Sequence, residues 1–199
     1  FLQGLEKRCR ERKALLMLDE VQSGIGRTGD FLGYQQSGIS PDAVALAKGL
    51  GGGFPIGAFW ISEQWSGVFK PGSHGTTFGG SPLACAAAHA VLDVIENDGL
   101  VKAAREKGLV LRDGLNRLVE RFPTMLEEVR GRGLMLALAM KSDPAELIAS
   151  LRDKGLLVVG AAGNSIRFLP PLNVNDPEIE QALNITEDAL ASFQPTQSE

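Results

Sequence analysis

Residues 13–19, KALLMLD, form a continuous apolar run that ends at an acidic pair, Asp19-Glu20. The run is too short for a stable helix and does not alternate apolar with polar positions. It therefore predicts a strand buried on both faces, as in a parallel sheet. A polar, glycine-punctuated stretch, VQSGIGRTGDFLGYQQSGISPD, leads to a second buried run, AVALA at 43–47, which ends at Lys48 and meets GLGGG. A third strand is expected in PIGAFWIS, residues 55–62. Three strands this close together, with little room for long helices between them, predict a large α/β sheet whose remaining strands lie upstream.

From Ser81 the period changes. Ser81 and Pro82 suit the N-cap and first position of a helix, and the Ala-rich run that follows reaches Glu96 before Asn97-Asp98-Gly99 closes it. Leu100, Ala104, Leu111, Leu115, Leu118 and Phe122 then mark one face of a second helix. Beyond Pro123 the expected order is a strand at 128–140, a helix capped by Asp143 and ended by Gly155, strands LLVVG and SIRFLPP, and a last helix from Asp176 to Phe193. This is an α+β unit. The reading places the end of a larger domain at 1–95 and a small C-terminal domain at 96–199.

The chain has 199 residues, 44% hydrophobic and 22% charged, which excludes a disordered or collagen-like polymer. Twenty basic against 24 acidic side chains give a net charge of −4, a balance unsuited to neutralising phosphates along a nucleic acid. The apolar run LMLALAM at 134–140 is far short of the ~18 residues of a membrane span. Two cysteines, Cys9 and Cys85, make neither a disulfide framework nor a zinc site, and no other metal site is read; a cytoplasmic compartment is the expectation. The chain opens with Phe1 inside what reads as a helix, FLQGLEKRCRERK, and is taken as the later part of a longer protein.

Two glycine motifs invite a phosphate-binding reading. G-I-G-R-T-G at 24–29 matches a dinucleotide fingerprint, but VQS separates it from the strand and no long helix follows, so a structural loop is the better reading. GLGGG follows its lysine and lacks the G-K-[ST] ending of a P-loop. More informative are Asp19 and Lys48, each at the C-terminal end of a predicted strand, the edge where open α/β sheets place ligands. Lysine can condense with aldehydes, and pyridoxal phosphate needs such a lysine plus an acid to keep its ring nitrogen protonated. An Asp–Lys ion pair at the sheet edge would explain the spacing as well.

Three motifs in order, LLMLDEVQSGIGRTG, PDAVALAKGLGGGFPIGA and SHGTTFGGSPLACAAA, resemble the class III, ornithine-type aminotransferases among the fold type I pyridoxal-phosphate enzymes. The resemblance runs through VRGRGLMLAL and IRFLPPLNV and so covers essentially the whole chain. It implies that Asp19 pairs with the pyridinium nitrogen, Val21 packs on the ring, Gln22 reaches the ring 3-oxygen and Lys48 carries the cofactor. It further implies that Thr77 reaches the phosphate across a homodimer interface, that Thr76 lies near the substrate, and that Arg167 clamps a substrate carboxylate. Glu20 receives no chemical role. His74 is expected to order its loop, His89 to pack in its helix, and Arg27 to be structural. Ser81 stands where the family usually has Asn.

HGTTFGG leans toward members that act on N2-acetylornithine, with 2-oxoglutarate as acceptor, in arginine biosynthesis. Alternatives are relatives using ornithine, succinylornithine or 4-aminobutyrate, a relative that isomerises rather than transfers, and an inactive fragment without cofactor. The family's phosphate-binding loop, ring-stacking aromatic residue and second substrate arginine are expected upstream of Phe1.

Overall fold

In the computed structural model, which describes residues 1–193, the chain opens with helix α1, Leu2–Arg12. Strand β1, Met17–Asp19, pairs in parallel with β2, Ala43–Leu46, and β2 pairs antiparallel with β3, Ala58–Ile61. The sheet order is β1-β2-β3. Helix α2, Pro82–Asn97, packs on the short 3-10 turn Lys48–Gly51 that follows β2. These elements form one unit, Phe1–Val101; a second begins at Lys102.

The expected strand at 13–19 is corrected in two respects. Only Met17–Asp19 is extended, and it is not buried on both faces: Leu16 lies inside, but Met17 is 61% exposed and Asp19 is exposed as well. The apolar run is real, but β1 pairs only with β2, and α1 buries none of its residues. The third strand is antiparallel to its neighbour, so the described sheet is mixed.

Asp42 fixes how these strands meet. Its carboxylate is fully buried and accepts from the Leu16 amide at 2.8 Å, Arg10 at 2.8 and 2.9 Å, Gln64 at 2.9 Å and the Trp65 indole N–H at 3.0 Å. In return the Asp42 amide donates to the Leu16 carbonyl at 2.7 Å. One side chain thus ties α1, the entry to β1, the entry to β2 and the turn after β3.

In the second unit, helix α3, Leu100–Arg121, lays Ala104, Leu111, Leu115 and Leu118 into the core, as the apolar stripe predicts. The stretch expected as one strand at 128–140 is instead a hairpin of β4, Leu126–Arg132, and β5, Met135–Met140. Arg132 faces Met135 across a two-residue connection, and Gly133 takes its first position at φ +52, a conformation that primed hairpin turns require and glycine adopts freely. Helix α4, Ala145–Asp153, strands β6, Val159–Ala161, and β7, Ser165–Phe168, and helix α5, Asp176–Ser192, complete the unit. The sheet order is β4-β5-β7-β6, antiparallel throughout. Its inner face supplies Leu136, Leu138, Ile166 and Phe168 to a core shared with Leu147, Leu151, Ile179 and Leu190.

The helix ends follow the sequence with one exception. Asn175 accepts from the Glu178 amide at 2.9 Å while Glu178 reaches back to the Asn175 amide, a complete capping box. Asp143 accepts from the Ala145 amide at 2.9 Å at the start of α4. Ser81 stands at the N-cap of α2, but its side chain makes no capping bond there; Pro82 removes one of the amides that would need one.

Burial pushes the Asp42 carboxyl upward, but the Leu16 amide, Arg10 and Trp65 together hold it below its ordinary value of 3.8. A depressed acid contributes stability that is complete above its unfolded pKa and disappears as pH falls through the lower folded value. The Asp42 contribution should therefore persist down to about pH 4 and be lost below it. Asp42→Ala should lower unfolding free energy at neutral pH by about 3 kcal/mol, because it strands a buried amide and an indole N–H. Denaturant titrations of both proteins at pH 7 and pH 3 check this: the gap between them should be smaller at pH 3 than at pH 7.

Candidate active site

The parallel register places Asp19 opposite Ala45, three residues before Lys48. Both chains leave the sheet at the same edge. Asp19 accepts from the Val21 amide at 2.9 Å through Oδ1, which turns the chain sharply after β1. Val21 and Gln22 follow in that turn, both half-buried. Lys48 is exposed, and its backbone takes φ +45, in the left-handed region. Neither Asp19 nor Lys48 belongs to an ion pair among the described residues. The sheet-edge salt bridge that spacing alone permits is therefore not formed. An exposed amine and an exposed carboxylate at the ends of two paired strands are the two groups a pyridoxal phosphate site would use, and their chemistry fits it.

The loop after Asp19 is organised by its neighbour. Glu20 is 4% exposed, and its carboxylate accepts from Ser23 Oγ at 2.6 Å, the Tyr34 amide at 2.8 Å and the Gly33 amide at 3.1 Å. It closes residues 21–34 into a packed loop. The G-I-G-R-T-G segment belongs to this loop: a Cβ on Gly24 would lie 2.7 Å from the Glu20 carbonyl oxygen. Arg27 is half-buried, and burial lowers its pKa.

Ile25 carries no signal in the sequence and is the unusual residue of the loop. It is 3% exposed and takes φ +57. The left-handed region costs a side chain with a Cβ roughly 1–2 kcal/mol, and β-branched residues are true outliers there. Asp42 is the other residue the sequence reading passes over. Its only signal is an acidic residue directly before a buried run.

Thr76 and Thr77 lie in an exposed loop, where Thr76 Oγ1 accepts from the Gly79 amide at 3.1 Å. His74, also exposed, meets Phe69 edge-on with centroids 5.1 Å apart, and Phe69 meets Phe59 at 6.0 Å. His89 does not pack in α2 as expected. It is exposed, because the buried positions of that helix are Ala84, Ala88 and Ile95, on another side. Arg167 is half-buried on β7, facing Ala137 of β5 and Val159 of β6. Its neighbours Ile166 and Phe168 point into the core, so Arg167 stands on the outer face of the sheet.

A lysine and an acid delivered to one sheet edge, followed by an α+β unit, are the arrangement expected of the fold type I class of pyridoxal-phosphate enzymes. Over residues 1–190 the sequence matches the model of the class-III aminotransferases, and the chain belongs to that family. It is 50% identical over 198 residues to the acetylornithine aminotransferase of Gloeobacter violaceus, covering 98% of this chain and 49% of that protein. With the acetylornithine aminotransferase of Bacillus subtilis it shares 44% identity over 96% of this chain and 49% of the relative. Among solved structures, acetylornithine aminotransferase from Elizabethkingia anophelis superposes with a TM-score of 0.90 at 35% identity, over 96% of this chain and 49% of that one. Ornithine aminotransferase from Toxoplasma gondii gives a TM-score of 0.90 at 35% identity, over 96% and 46%. The chain thus spans about half the length of the curated relatives it matches.

Glu20→Ala would leave the Gly33 and Tyr34 amides without their acceptor. It should cost about 2–3 kcal/mol, with amide hydrogen exchange rising first at Gly33 and Tyr34. Unchanged exchange at those two amides would show that the loop closes without Glu20.

Proposed function

We propose that this chain supplies the lysine-bearing part of a pyridoxal-phosphate aminotransferase that acts on N2-acetylornithine and 2-oxoglutarate. The products would be N-acetylglutamate 5-semialdehyde and glutamate, a step of arginine biosynthesis. The single observation that carries the reading is the delivery of Asp19 and an unpaired Lys48 to one edge of the sheet. Relatives named acetylornithine aminotransferase at 44–50% identity favour this donor. Structural neighbours named ornithine aminotransferase keep ornithine as the second reading.

Pyridoxal phosphate supplies an electron-accepting ring that stabilises negative charge developing at the substrate Cα. In this assignment Lys48 Nζ would hold the cofactor through its aldehyde carbon; once free, the amine would take the proton from the substrate Cα as general base and deliver it, as general acid, to that former aldehyde carbon. Asp19 would keep the ring nitrogen protonated, while Val21 would cover one ring face and Gln22 would bind the 3-oxygen. Arg167 binds a substrate carboxylate, for which the planar guanidinium offers two parallel donors. Thr76 lies near the substrate, and Thr77 reaches the phosphate of a second subunit in a homodimer. Residues 1–95 would belong to the cofactor-binding domain and 96–199 to the small domain. We assign the protein to the cytoplasm on its sparse, unpaired cysteines. No described helix is long and apolar enough to cross a membrane.

Borohydride reduction of the cofactor-loaded protein, followed by peptide mapping, should place the pyridoxyl mass on the peptide containing Lys48. A label on Lys70 or Lys102 instead would sink the assignment, and turnover with N2-acetylornithine against ornithine separates the two readings of substrate.

Mixing Lys48→Ala with Thr77→Val subunits tests the shared site. A heterodimer then has one site with both lesions and one with neither, so activity should partly return after verified subunit exchange. No recovery would mean that each site is built from one chain.

A further inference from the structure

We propose that Ile25 is a positioning residue for Lys48: its side chain, packed beside Gly49 from a left-handed backbone, holds the turn that carries the amine. This rests on the reading of Lys48 as the cofactor-bearing lysine and names the part that keeps it in place. Ile25 is almost completely buried at φ +57, in a loop that contains Gly24 and Gly26 on either side. Glycine or asparagine at position 25 would adopt that backbone with less strain, so the isoleucine side chain has to compensate through what it touches. It lies next to Gly49: a Cβ built there would sit at ordinary van der Waals distance, 3.6 Å from Ile25 Cβ and 3.8 Å from Cγ2.

Gly49 directly follows Lys48, whose own backbone is left-handed at φ +45. That turn closes through the Leu50 amide on the Ala47 carbonyl at 3.0 Å and the Gly52 amide on the Gly49 carbonyl at 3.3 Å. Ile56 abuts Gly51 and Val91 abuts Gly52, so apolar side chains meet the turn at three of its residues, Gly49, Gly51 and Gly52. Ile25 alone among these comes from the loop after Asp19. The loop is fastened to the end of β1 by the Gly24 amide on the Glu20 carbonyl at 2.9 Å, and closed by the Gly26 amide on the Phe31 carbonyl at 3.1 Å. Through Ile25 the acid-bearing and amine-bearing ends of two strands therefore pack as one piece. Two residues with left-handed backbones, Ile25 in the loop after Asp19 and Lys48 next to Gly49, make a fixed separation between the two strand ends the simplest role for this packing.

The test uses Ile25→Gly, Ile25→Ala and Ile25→Val in the natural polypeptide carrying residues 1–199. Without cofactor, Ile25→Gly should speed hydrogen exchange at the amides of residues 49–52 by about tenfold while the β1 and β2 amides keep their protection. With pyridoxal phosphate bound, the pH midpoint of its visible absorbance on Lys48 should shift, and Ile25→Val should return both readouts to wild type. Should Ile25→Gly fail to fold, Ile25→Ala is read by the same criteria. Unchanged exchange at 49–52 would overturn the proposal. So would exchange rising evenly through the first unit with the absorbance titration unmoved, since that describes a residue that merely fills the core. The exchange result does not depend on the cofactor. If borohydride labels another lysine, the functional reading fails while Ile25's hold on the turn is still judged by exchange.

Discussion

The pairing of β1 with β2 depends on a carboxylate at its lower end. Asp42 takes the Leu16 amide on its side chain and gives its own amide to the Leu16 carbonyl, so the two chains enter the sheet locked in one register. Side chains along a strand alternate in direction, and a slip of one residue would turn every one to the other face. Asp19 would then present its side chain to the opposite face of the sheet. A group with no part in the proposed chemistry thus decides whether the two that have one can share a site.

Buried charge in this unit serves the backbone. Asp42 and Glu20 are both almost inaccessible, and between them they accept from three main-chain amides, an indole, an amide side chain, a hydroxyl and a guanidinium. Such groups are costly to bury unless every lone pair is used, and here they are used to shape loops that have little regular structure of their own. The proposed chemical groups, Asp19 and Lys48, stand in the open by contrast. Rigidity is supplied from beneath and reactivity is left at the surface.

Much of the second unit was legible because its signals are local and periodic. The stripe on α3 and the capping box of α5 each lie within a few turns of one helix and require no distant partner. The hairpin at 126–140 was read as a single strand because apolar residues continue across the turn: Leu134 sits in the connection itself and is fully buried. The exposure of Met17 depends on which faces of the strand are covered, and an apolar run does not encode that. In the candidate site, Asp19 and Lys48 were legible from strand ends and motif order. Asp42 and Ile25 were not, since one works through contacts 22 to 32 residues away and the other through a backbone angle its residue type disfavours.

The close approach of α3 to the β4–β5 turn bears on how the small unit can vary. A methyl group on Gly108 would fall 2.3 Å from the Gly133 carbonyl oxygen, inside any tolerable contact with a backbone that has no rotamer to change. Helix and turn are therefore seated main chain to main chain, and no single larger residue can enter on the helix side. Drift in this part of the sequence has to proceed by matched steps, a shift of the turn accompanying any gain in bulk on the helix. Homologous chains should differ here in the path of the hairpin tip before they differ in the size of the residue beneath it.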